Sequence, residues 1–172
     1  MSLINLEPFV FGGKPHFPSE MTTDGNFLNS WAEFQQSSEV KRISDSLKSQ
    51  NFPLRFLGIT QFGSENFIYW LGLLIPNQDF PLPKDWLKLN LPGGPGFALQ
   101  NAAPANQVLP IRAELDAVYQ SAQKEEVALP QNISHTTKPY FIEQLLSLDN
   151  SAIPENWAYF VYQSLEEDPL ED

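Results

Sequence analysis

The chain has 172 residues, 42% of them hydrophobic and 13% aromatic, enough to build one core and too apolar for a disordered chain. Its 21 acids against 10 Lys plus Arg give a formal net charge of -11, which repels phosphate backbones and argues against direct DNA or RNA binding. The absence of cysteine rules out disulfides, thiol nucleophiles and sulfur-ligated metals, and it fits a cytoplasmic setting.

Taken in chain order, Glu7 to Phe17 reads as a first strand broken by glycines. Phe27, Trp31 and Phe34 then fall on one helical face. Val40, Ile43 and Leu47 form a second helical set out of phase with the first, which predicts a bend or a fresh cap near Ser37-Ser38. Leu54 to Gln61 and Phe67 to Ile75 are strands joined by a turn at Gly63-Ser64. Phe67 to Pro76 is the longest apolar run, and it is too short to span a membrane as a helix.

The same order then recurs. Trp86 to Leu91 and Gly96 to Gln100 are extended, with a bend or bulge at Pro92-Gly93-Gly94-Pro95. Ile111, Leu115, Val118, Tyr119 and Ala122 mark a helix that begins between Asn106 and Pro110. Tyr140 to Leu148 is a strand, Asp149 to Asn156 a loop and Trp157 to Gln163 the closing strand. The expected architecture is α+β, an antiparallel sheet of two β-α-β-β halves with the helices on one face. Residues 1–164 are expected to form a single domain and 165–172 an acidic, disordered tail.

Strand alternation puts Phe141, Glu143 and Leu145 on one face and Tyr140, Ile142 and Leu146 on the other. The helices are expected on the Ile142 side. Phe67, Tyr69 and Leu71 share a row, as do Trp157, Tyr159 and Val161. A cleft between the halves would present Glu143 beneath Tyr69, Phe97, Trp157 and Tyr159. A carboxylate in such apolar surroundings must be neutralised, paired or left for a ligand. Pairing with Arg55 or Arg112, or simple exposure, is the alternative. If the site is open, aromatic faces and a buried acid favour flat, cationic, amphipathic molecules. The histidines, His16 and His135, lie far apart and lack metal-ligand spacing, and Gly93-Gly94-Pro95-Gly96 lacks the lysine and helix start of a phosphate cradle. No cofactor and no metal are expected.

Several local patterns resemble the GyrI-like small-molecule-binding domain, also called the bacterial transcription-activator effector-binding domain. They are Trp31-Ala32-Glu33-Phe34, Tyr69-Trp70-Leu71-Gly72, Leu91-Pro92-Gly93-Gly94-Pro95-Gly96-Phe97-Ala98, Tyr140-Phe141-Ile142-Glu143 and Trp157-Ala158-Tyr159-Phe160-Val161, in that order. The resemblance implies two pseudo-twofold halves around a ligand cleft, with Glu143 as its central acid. It implies a ligand-binding set of Glu143, Tyr69, Phe67, Phe97, Phe141, Trp157, Tyr159 and Trp31. The chain departs from the family pattern at Leu145, where an aromatic is usual, and in a second helix that offers Leu115 in place of a tryptophan. With eight residues before Phe9, no fused DNA-binding segment is expected. The expected function is a stand-alone sensor or sequestering module for a small cationic compound. The alternatives are a hydrolase of reactive small molecules with Glu143 as general acid or base beside Tyr69, and a protein-interaction role such as gyrase inhibition.

Overall fold

The computed structural model describes residues 3–104, 107–145 and 156–163. They form β1 (Leu3–Leu6), β2 (Phe9–His16), α1 (Leu28–Gln36), α2 (Ser38–Ser49), β3 (Phe56–Phe62), β4 (Phe67–Ile75), β5 (Leu87–Leu91), β6 (Gly94–Pro104), α3 (Ile111–Lys124), β7 (Tyr140–Leu145) and β8 (Asn156–Tyr162). The end expected for the seventh strand at Leu148, most of the following loop and the acidic tail lie outside the described residues.

Two helices follow Phe27 because Ser37 interrupts them. Its backbone is extended, and its hydroxyl accepts the Val40 amide at 3.4 Å, capping α2. The two out-of-phase apolar stripes can then both face the sheet: Trp31 and Phe34 from α1, and Val40, Ile43 and Leu47 from α2, are all buried.

All eight strands join one antiparallel sheet in the order β1-β6-β8-β7-β3-β4-β2-β5. Exchanging β2 with β6, β3 with β7 and β4 with β8 leaves the central order unchanged when read from the other end. This is the duplicated β-α-β-β plan, with its pseudo-twofold axis between β3 and β7. The outer strands add something that periodicity did not reveal. Leu6 pairs with Gly94 and Phe9 with Leu91, one unbroken antiparallel register across β1–β2 and β5–β6. The ribbon bends at Glu7-Pro8 and Pro92-Gly93, where each proline removes an amide donor. Gly93 is required at the bend, since a Cβ there would stand 2.8 Å from both Leu6 O and Pro8 Cδ. One ribbon therefore edges both ends of the sheet and curls it.

The helices cover the Glu143 face, which corrects the expectation that they pack on Ile142. Residues of all three helices share a core with Tyr69, Leu71, Phe97, Phe141, Trp157, Tyr159 and Val161. The opposite face holds a separate helix-free cluster of Phe11, Leu57, Ile59, Trp70, Ile142, Phe160 and Tyr162, against which ribbon residues Leu6, Phe9 and Leu89 pack. Both faces of the sheet are therefore apolar, although helices pack on one of them only.

Candidate functional site

Glu143 stands at the junction of the halves, paired with Gly58 of β3 on one side and Tyr159 of β8 on the other. Its side chain faces the helices and is 2% exposed. Tyr69, on β4, leans across β3 and donates a hydrogen bond to Glu143 Oε2 at 3.3 Å. Residue 58 makes that reach possible. A Cβ at Gly58 would run into the Tyr69 hydroxyl, standing 2.9 Å from Tyr69 Cζ and 3.1 Å from the Trp31 ring. Trp31 Nε1, from α1, donates to Tyr69 Oη at 2.8 Å, and Phe27 stacks on the tyrosine ring at 4.2 Å.

The second half contributes a carboxyl of its own. Glu114, one turn into α3 and 1% exposed, accepts a hydrogen bond from Tyr159 Oη at 3.2 Å and another from the Leu109 amide. The two carboxyl groups are within hydrogen-bonding range of one another. Two tyrosine–glutamate pairs thus meet at the pseudo-twofold junction, with the tyrosines on corresponding strands β4 and β8.

Burial is the main force on this pair, because no cation lies among the groups acting on either carboxyl. It raises Glu143 to about 8, with the hydrogen bonds from Glu114 and Tyr69 pulling the other way. Burial, then the charge of Glu143, raises Glu114 to about 10, against the hydrogen bonds from Tyr159 and Leu109. Burial and the two acids push the hydroxyls of Tyr69 and Tyr159 up as well. At neutral pH the pair therefore holds protons.

Among the described residues, four buried polar atoms have no hydrogen-bond partner: Glu114 Oε2, Glu143 Oε1, Trp157 Nε1 and Thr60 Oγ1. Trp157 belongs to the helix-side core, and Thr60 shares a face with Gly58, two residues along β3. Unsatisfied polar atoms are costly when buried, and their concentration on one face makes that face the candidate site.

The sequence-predicted residues divide into two groups. Glu143, Tyr69, Trp31, Trp157 and Tyr159 come together: Trp157 meets the Trp31 ring edge-on at 5.1 Å, and Tyr159 packs beside Phe141 at 5.6 Å. Phe67 and Phe97 share the same core but lie farther out, Phe67 at the start of β4 against Phe27 and Phe62, and Phe97 on β6 opposite Val161. Neither Arg55 nor Arg112 is a partner of Glu143. Arg112 is exposed on α3, and Arg55 lines a cavity of about 350 Å³ on the other face, together with Leu57, Ile142 and Phe160. Glu143 does not line that cavity. Away from this site, His16 Nδ1 lies 3.1 Å from Glu20 Oε1.

Glu114 and Gly58 were missed. Glu114 falls between Ile111 and Val118 at helical spacing, so an acid inside the apolar stripe was the available signal. Nothing in the sequence alone marks Gly58.

No family model and no curated protein matches this chain. Solved structures do match it. SAV2435 bound to tetraphenylphosphonium superposes with a TM-score of 0.54 at 11% identity, over 92% of this chain and 90% of that one. The EcmrR C-terminal domain gives 0.52 at 9% identity, over 94% of each chain. A hydrolase encoded by lin2189 from Listeria innocua gives 0.50 at 10% identity, over 92% and 88%. At the level of fold, these likenesses bear out the resemblance to the GyrI-like small-molecule-binding domain.

Proposed function

We propose that the chain binds a flat, amphipathic, cationic small molecule at the junction of its halves, with Glu143 as the counter-charge, and that it works as a sensor or sequestering module. The observation that carries this reading is a pair of buried carboxyls, each with an unpartnered oxygen, inside a cage of tryptophan and tyrosine rings, with no cation among the described residues acting on them. A bound cation supplies the missing charge, and each ring face adds about 0.5–2 kcal/mol of cation–π attraction once water is excluded. The tetraphenylphosphonium held by SAV2435, a protein of the same fold, is an amphipathic cation with aromatic rings, though tetrahedral rather than flat. Because α1 and α3 cover Glu143, entry requires one of them to lift. The carboxyl on the buried face of α3 weakens that helix's hold on the sheet.

The test is calorimetric titration with tetraphenylphosphonium. Wild type binds it, and Glu143→Gln, which keeps the shape and removes the charge, binds at least about tenfold more weakly. Equal affinity in the two proteins refutes the reading.

A second reading is favoured by the unequal proton affinities of the two acids. A hydrolase needs one group to give a proton and another to take one, and the Listeria innocua protein is described as a hydrolase. Under this reading Glu143, with Tyr69 as hydrogen-bond donor, opens a strained electrophilic ring. Product formation that survives Glu143→Gln removes it.

A further inference from the structure

In the binding reading Glu143 is the counter-charge, and Glu114, on the second half's helix, reaches it. Resting on that reading, we infer that Glu114 works as a neutral hydrogen-bond donor to Glu143, so that the occupied site carries one negative charge and selects singly charged cations over doubly charged ones.

The geometry carries the argument. Both carboxyls are nearly without solvent exposure and within hydrogen-bonding range of each other. Like charges so placed in a dry site cannot both ionise, so beside a bound cation the stable arrangement is one proton held between them. That proton also supplies a donor to carboxyl oxygens that otherwise have none. Among the described residues, the charged and titratable groups around the pair are Tyr69 from β4 and Tyr159 from β8, while Trp31, Trp157, Thr60 and the Leu109 amide are neutral. None of them can neutralise a second carboxylate. The negative charge settles on Glu143, because the hydroxyl that reaches it is itself polarised by the Trp31 N–H. The ordering of the two acids, Glu143 near 8 and Glu114 near 10, agrees. A monocation therefore expels one proton from the empty site and leaves the second in place. A dication finds only half of its charge balanced.

Two probes of closely similar shape separate these cases: N-methyl-4-phenylpyridinium with one charge and N,N′-dimethyl-4,4′-bipyridinium with two. Calorimetry near neutral pH, in buffers of different ionisation enthalpy, reads affinity and proton release together. The singly charged probe is expected to bind at least about tenfold more tightly and to expel one proton. Glu114→Gln still donates through its amide and keeps the preference for the singly charged probe. Glu114→Leu fills similar volume without a donor and loses about tenfold. If it does not melt cooperatively, Glu114→Met takes its place.

Three results overturn the inference while leaving the role of Glu143 standing. They are tight binding of the dication with two protons expelled, a Glu114→Gln loss as large as that of Glu143→Gln, and wild-type affinity in Glu114→Leu. Failure of wild type to bind either probe, or unchanged binding in Glu143→Gln, removes the underlying reading and the inference with it.

Discussion

At the scale of single residues, the site depends as much on a missing side chain as on those present. Tyr69 and Glu143 sit on strands separated by β3, and their hydrogen bond crosses that strand where Gly58 leaves space. Gly58→Ala is expected to push the tyrosine hydroxyl away from the acid, costing about 1–3 kcal/mol as overpacking in a filled core. Thermal melting of Gly58→Ala, Tyr69→Phe and the double variant checks this. Removing the hydroxyl takes away the atom that the new methyl meets first, so the double variant should be more stable than the sum of the single losses. Strict additivity would show that the glycine serves some other end.

At the scale of elements, most of the fold was legible because hydrophobic periodicity is local. Alternation placed Tyr69, Glu143, Trp157 and Tyr159 on one face, and two out-of-phase stripes located the break at Ser37. That break tests the capping argument: Ser37→Ala should lower stability by about 1 kcal/mol and the melting temperature by about 2–4 °C. An unchanged melting curve would mean that packing of Val40, Ile43 and Leu47 alone starts the second helix. What was not legible depended on contacts distant in sequence. β1 is four residues long and exists because its partner is β6, some ninety positions away, which no local pattern announces. The side taken by the helices was misread because Ile142 and Phe160 are as apolar as Phe141 and Val161. Only the curl imposed by the bent ribbon tells one face from the other. Glu114 escaped because counting apolar positions along α3 skips the one acid among them.

At the scale of the whole molecule, two electrostatic effects make stability fall as pH rises, and they can be separated. The net charge of -11 opposes compactness through self-repulsion, which salt screens. The buried pair is screened far less. In the unfolded chain both acids titrate near 4.5, whereas in the folded protein they hold their protons to about 8 and about 10. The folded state therefore binds more protons than the unfolded one throughout this interval. The stability contributed by the protonated pair is full below 4.5 and declines as pH climbs through 8 towards 10, by at most about 1.4 kcal/mol per pH unit for each acid. At high salt, where surface repulsion is suppressed, the melting temperature of wild type should still fall steadily across this range. The double variant Glu114→Gln, Glu143→Gln should be nearly flat over the same range, since amides do not titrate. A bound monocation should roughly halve the wild-type slope, because Glu143 is then ionised in both states while Glu114 keeps its proton. If the double variant keeps the wild-type slope at high salt, the two carboxyls are not the protonated pair that the binding argument requires, and the cation would have no proton to displace.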